Sequence, residues 1–227
     1  MPTIFFKGRH LQHDMIMQID RWYLAYSLSY RDMEEWMQER GFSLDHSTIN
    51  RWVLHYSPQL EAVFRRRKKR IGVRWRMDES YIKVKGQWTY YYRAVDKQGQ
   101  RIDFLLTATH DTNAVFRFLK KAIGQNGKPS LVNIDQSGAN HAGLKQYNRH
   151  DKKPIKIRQC TYLNNIIEQG HRRIKSLTRP MLGFKNFHGG QRTLAGIEVM
   201  AMIRKGQLKR LPGNEKTPAE LFYTLAA

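Results

Sequence analysis

The spacing of apolar residues changes period once along this chain, near residue 74, and that change sets the order of its structural elements. Before it, Ile16, Ile19, Tyr23 and Tyr26 recur at steps of three and four, as do Met33, Trp36, Met37 and Arg40, and then Ile49, Trp52, Val53 and Tyr56. Such steps line one face of an α-helix. After it, three strand-like runs at 74–84, 88–95 and 101–107 are separated by Lys85-Gly86 and by a turn over 96–99, which describes consecutive hairpins.

The helical part is well punctuated. Ser29 and Asp32 have the spacing of a capping box, Gly41 ends the second helix, and Asp45-His46-Ser47-Thr48 can cap the third. Three short helices with a tight turn before the last describe a helix-turn-helix, whose final helix would present Ser47, Thr48, Asn50 and Arg51 to base edges. A plain three-helix bundle has the same pattern. Composition separates the two, because 40 Lys and Arg against 19 Asp and Glu leave a net charge of +21, which calls for a polyanion partner such as nucleic acid.

A basic run follows. Arg65, Arg66, Arg67, Lys68, Lys69, Arg70, Arg74 and Arg76 occur with no intervening acid. Placed after a DNA-reading unit, the run is expected to track phosphates, each of them steepening the salt dependence of binding; the alternative is a solvated charge run.

Beyond the meander, Asp111 or Thr112 caps a helix reaching Ala122, 131–134 reads as a short buried strand, and a weak helix spans 142–147. A strand at 155–158, a long helix from about Leu163 to Thr178 and a last helix over 192–207 complete the chain. Three meander strands, then β-α-β, then helices is the element order of the ribonuclease H type of α/β fold. The expected domains are a helix-turn-helix over 1–60, a basic helix or linker over 61–73, a ribonuclease H-like domain over 74–180 and a C-terminal helical extension over 181–227 packed on that core.

Acids are scarce enough to weigh singly. Asp78 lies inside the first strand between Trp75, Met77 and Tyr81, where a charge is costly to bury without a partner or a metal. Asp135 closes the apolar run Leu131-Val132-Asn133-Ile134, at the mouth where α/β sheets present ligands. Glu168 borders the buried stripe of the long helix, with His171, Arg172 and Lys175 on its face at helical spacing. Carboxylates for metal beside cations for phosphate suit strand cleavage. Neighbouring strand residues point to opposite faces, so Asp78 and Glu79 cannot both aim at one site, and the pattern leaves open which does.

The single Cys160 excludes an intramolecular disulfide and a multi-thiolate zinc site. The first ten residues hold too short an apolar run for a signal peptide, and nothing approaches the roughly 20 apolar residues of a membrane span, so a soluble, cytoplasmic protein is expected.

The stretches Arg76-Met77-Asp78-Glu79-Ser80-Tyr81, Asn133-Ile134-Asp135-Gln136-Ser137-Gly138-Ala139-Asn140 and Tyr162 through Lys175 resemble the three catalytic blocks of bacterial insertion-sequence transposases with an integrase-like core. The likeness is to the insertion-sequence-six family and extends from Phe6-Lys7-Gly8-Arg9-His10 to Arg204-Lys205-Gly206-Gln207, with departures at Gly170, where that pattern carries an acid, and Ser176, where it carries a base. The resemblance implies that Asp78 rather than Glu79 is the first catalytic acid, with Asp135 and Glu168 second and third, holding two Mg²⁺ or Mn²⁺ ions per site. It implies that Lys175 contacts terminal DNA, and that a homodimer or larger homo-oligomer acts on double-stranded DNA, at the element's inverted repeats and at the target, by replicative movement through cointegrates. Two readings stand beside it: a non-catalytic helix-turn-helix regulator or decayed transposase, and a ribonuclease H-like nuclease that cuts without joining.

Overall fold

The protein, seen here as a computed structural model, is described over residues 4, 11–209 and 215–226; the Phe6 to His10 part of the family resemblance lies outside the described residues. The chain forms two compact units, Met1–Lys69 with Ser176–Ala227, and Arg70–Lys175.

The first unit is helical: α1 (His13–Ala25), α2 (Tyr30–Glu39), α3 (His46–Arg67), then, from the far end of the chain, α7 (Phe187–Arg204) and α8 (Pro218–Tyr223). The capping box expected at α2 is present: the Asp32 amide donates to Ser29 Oγ at 3.1 Å and the Ser29 amide to Asp32 Oδ2 at 2.7 Å. Asp45 caps α3, accepting from the Ser47 amide at 2.7 Å.

α3 runs further than its sequence pattern suggested, through Pro58 and into the basic run as far as Arg67. Leu60 and Phe64 extend its buried stripe at the same helical step. Pro58 has no amide to give the carbonyl four residues back. That carbonyl, of Leu54, accepts instead from Arg192 Nη1 at 3.4 Å.

Residues 176–227 therefore differ from their expected place as an extension of the core: they belong to the helical unit. The reason is α7, which is buried on nearly every side from Thr193 to Ile203, and a helix apolar all round needs neighbours all round. It packs on α1 and α3 at Gly196, where a Cβ would sit 2.5 Å from Ser57 Oγ and 2.6 Å from Leu24 Cδ2. α7 also starts earlier than expected, because Asn186 caps it by accepting from the Gly189 amide at 2.6 Å. α8, unforeseen, opens with a Thr217/Glu220 capping box and Pro218 in its first turn.

The second unit is a five-stranded sheet in the order β3-β2-β1-β4-β5. β1 (Arg74–Val84), β2 (Gln87–Asp96) and β3 (Arg101–Thr107) form the antiparallel meander, and β4 (Leu131–Ile134) and β5 (Lys156–Gln159) add in parallel. Lys85 and Gly86 both have positive φ, 51° and 76°, as a two-residue hairpin turn matched to strand twist requires. α4 (Thr112–Asn126), α5 (Gly138–Asn148) and α6 (Asn165–Thr178) complete the order of elements. This order and strand sense are those of the ribonuclease H-like fold that the sequence pattern predicts. One face of the sheet carries Trp75, Met77, Tyr92 and Val132 into a core with Val115 and Phe118 of α4. The opposite face meets α6, because Arg93, next to Tyr92 on β2, reaches Gly170.

Candidate active site

Strand register brings the first two acids together. β1 and β4 run parallel with Trp75 beside Val132 and Arg76 beside Asn133. Two residues further along each strand stand Asp78 and Asp135, on the face shared by Arg76 and Asn133. Trp75 and Met77 are core residues of the other face, so Glu79 belongs to that side and meets α5, where its Oε2 accepts from Asn140 Nδ2 at 2.8 Å. The two neighbours that sequence pattern left equal are thus separated by the pleat.

α6 is fixed above this face by amides that the sequence pattern did not single out. Asn133 Nδ2 donates to Asn164 Oδ1 at 2.9 Å and to the Cys160 carbonyl at 2.9 Å, and Asn164 Nδ2 donates to the Met77 carbonyl at 3.3 Å. Both side chains are buried, 2 % exposed each. A short 3-10 turn over Thr161–Asn164 leads directly into α6, whose first turn carries Glu168. The sequence signal was there: an Asn inside an apolar strand must find partners.

Electrostatics report the convergence. Burial pushes the Asp78 carboxyl up to about 7, with the charges of Glu79 and Asp135 adding to it and Glu168 contributing further, against a backbone hydrogen bond at Glu79 that lowers it. The oxygens of Asp78, Asp135 and Glu168 do not all lie within 4.8 Å of one another, as like charges hold each other off. The trio that does among the described residues is Glu34, Asp45 and His46, where His46 Nδ1 lies 2.9 Å from Glu34 Oε2 and ties α2 to the start of α3.

The cations expected on α6 divide. Arg172 and Lys175 are exposed, whereas His171 turns inward and is 6 % exposed, with Nε2 3.7 Å from Asp78 Oδ2. An imidazole three positions after Glu168 falls on the sheet side of the helix, so it faces the acids and not a bound strand.

In the helical unit, Ser47 and Arg51 are exposed and Thr48 and Asn50 half-buried, with Arg51 Nη2 donating to Thr48 Oγ1 at 2.7 Å. Members of the basic run have other partners. Arg65 pairs with Glu61 across one helical turn, Arg67 donates to the Thr224 carbonyl at 2.8 Å, and Lys68 forms an isolated bridge to Leu208. Arg66, Lys69 and Arg70 are exposed. No helix among the described residues is long and apolar enough to cross a membrane.

Residues 72–207 match the family model of a DDE domain of insertion-sequence transposases. The chain is 37% identical over 206 residues to the transposase for insertion sequence-like element IS431mec of Staphylococcus aureus, covering 89% of this chain and 90% of that protein. The same figures relate it to the Staphylococcus aureus transposase for insertion sequence element IS257 in transposon Tn4003. Among solved structures, the HTLV-2 integrase catalytic core domain in complex with magnesium aligns over 69% of this chain and 99% of that one, with 18% identity and a TM-score of 0.45. On the match across the catalytic unit and the identity along most of the chain, this protein belongs to the insertion-sequence-six family of DDE transposases, which are polynucleotidyl transferases.

Proposed function

We propose that the chain binds the terminal inverted repeats of its insertion sequence, nicks their 3′ ends and joins those ends to target DNA, with Asp78, Asp135 and Glu168 as the catalytic acids. The observation that carries this reading is the Asp78 carboxyl, raised to about 7 by burial, by Glu79 and Asp135 and by Glu168. Partly buried carboxylates that destabilise one another's charged forms make an oxygen donor set suited to hard divalent cations. Asp78, Asp135 and Glu168 would hold Mg²⁺ or Mn²⁺. Two such ions, when bound, supply activation of the attacking oxygen and stabilisation of the leaving oxygen at phosphorus.

The chain's own residues have separate tasks. His171, 3.7 Å from Asp78, restrains that carboxylate from the α6 side. Arg172 and Lys175, exposed on the helix that carries Glu168, bind backbone phosphates of the terminal DNA. In strand transfer the freed 3′-OH forms a bond to a target phosphorus while the target's own 3′ oxygen departs, so no covalent protein–DNA link is needed. Ser47, Thr48, Asn50 and Arg51 at the start of α3 read the repeat, and the exposed Arg66, Lys69 and Arg70 follow the backbone. Movement is replicative, through cointegrates, with a homodimer or larger assembly holding two ends.

The test supplies purified protein with precleaved ends, target DNA and Mg²⁺. Joined product from the wild type, and none from Asp78→Asn with end binding retained, is the expected result. Cleavage without joining would favour a nuclease, and binding without either would favour a regulator.

A further inference from the structure

Asn140 connects the two faces of the sheet at the acidic end of β1 and β4. It is fully buried, and its side-chain amide nitrogen donates one hydrogen bond to Asp135 Oδ1 at 3.1 Å and another to Glu79 Oε2 at 2.8 Å. Its two N–H bonds are thereby used on two carboxylates, and the amide cannot be turned over, since its carbonyl oxygen would then face both anions. The Ser137 amide also donates to Asp135 Oδ1, at 3.0 Å. Both donors take the same oxygen, so the rotation of the Asp135 carboxylate is set and Oδ2 is left to take a cation.

Glu79 is itself anchored. Its other oxygen, Oε1, lies 3.3 Å from His110 Nε2, and the His110 ring stacks on Tyr90 with centroids 5.0 Å apart and planes 27° from parallel. A connected series of side chains thus runs from Tyr90 through His110, Glu79 and Asn140 to Asp135, all on the α4 and α5 side of the sheet. An acid beside Asp78 that points away from it has a reason to be there: it holds the amide that holds Asp135.

We infer that Asn140 and Glu79 are positioning residues for Asp135, acting on the orientation of its carboxylate and so on the affinity of the site for divalent ions. The inference rests on the proposed role of Asp135 as a metal-holding acid. Outer groups that orient metal-holding side chains change metal affinity or activity by about 10- to 100-fold when removed. Gln at position 79 keeps a carbonyl oxygen for the Asn140 amide, whereas Ala does not.

The experiment compares wild type, Asp78→Asn, Glu79→Gln, Glu79→Ala, Asn140→Ala and the Glu79→Ala/Asn140→Ala pair by two readouts. One is the Mg²⁺ concentration giving half-maximal joining of precleaved ends; the other is the rise in melting temperature of the DNA-free protein on adding Mn²⁺. Glu79→Ala and Asn140→Ala are expected to raise the Mg²⁺ requirement about 10- to 100-fold and shrink the Mn²⁺ response. The double variant should resemble either single one, and Glu79→Gln should recover most of both readouts. Glu79→Gln as inactive as Asp78→Asn would make Glu79 a direct ligand and overturn the inference. An unchanged Mg²⁺ requirement with only a lower melting temperature would overturn it as well, leaving a purely structural network. A wild type that neither joins ends nor responds to Mn²⁺ would instead overturn the functional reading beneath it.

Discussion

Gly170 on α6 lies so close to Arg93 on β2 that a Cβ at that position would be 2.6 Å from Nη1 and 2.9 Å from Nη2. Arg93 is 2 % exposed and is the cross-strand partner of Asp78, so it has little room to yield. Absence of a side chain at 170 thus sets the height of α6, and with it Glu168, above the sheet. Gly170→Ala should lower strand transfer by on the order of 10- to 100-fold, because small displacements of reacting groups cost that much. Combining it with the shorter-reaching Arg93→Lys should recover part of the loss. Full activity of the single variant in an end-joining assay would show that α6 is free to shift.

Asp135→Asn and Glu168→Gln should each reduce joining at least about 100-fold, since removing a direct ligand costs no less than removing a group that orients one. Binding to inverted-repeat DNA, measured by mobility shift, should stay intact. Activity within a few-fold of wild type for either would remove that acid from the site.

The raised carboxyl of Asp78 has a consequence for stability in the absence of divalent ions. A carboxyl whose folded value, about 7, lies above its unfolded value of 3.8 favours folding most below that unfolded value, and the advantage is lost as pH climbs through the folded value. Melting temperatures in a chelating buffer should therefore fall between about pH 4 and 7 more steeply for wild type than for Asp78→Asn. Parallel profiles would contradict the assigned burial.

In the helical unit, Asp20 is fully buried on α1, its carboxyl is raised well above the usual range by that burial, and neither oxygen has a hydrogen-bond partner among the described residues. Folding is therefore favoured at acid pH and the advantage is lost as pH rises, as for Asp78. Asp20→Leu should raise the melting temperature at about pH 8 and much less at about pH 4. A lower melting temperature at the alkaline end would mean that the carboxyl has a partner which the apolar replacement breaks.

Exposed cations should govern non-specific DNA binding. Removing the cation that neutralises one phosphate reduces the slope of log affinity against log salt by about 0.9, so Arg66→Ala, Lys69→Ala and Arg70→Ala should each flatten it by about that amount. Arg67→Ala removes a donor to the Thr224 carbonyl and should lower the melting temperature instead. Equal slope changes at positions 66 and 67 would show that exposure does not sort the basic run.

What the sequence by itself determined is local. The α2 capping box, the Asp45 cap, the Lys85-Gly86 turn and the change of period near residue 74 each depend on residues within a few positions of one another, so element order and the ribonuclease H-like class were legible. The three blocks around Asp78, Asp135 and Glu168 were legible as well, by resemblance to a known family.

Tertiary structure decided what depends on residues distant in the chain. The parallel register of β1 and β4 placed Asp78 beside Asp135 and sent Glu79 to Asn140 on the other face. Packing beneath α6 turned His171 toward Asp78, and the hydrogen bond from Arg192 to Leu54 accompanies the passage of α3 through Pro58. Residues 176–227 joined the N-terminal helices because α7 is apolar all round and fits against α1 and α3 only where Gly196 has no side chain. Periodicity tells which residues share a face, but which surface that face meets is set by packing between segments far apart in sequence, and no local pattern encodes it.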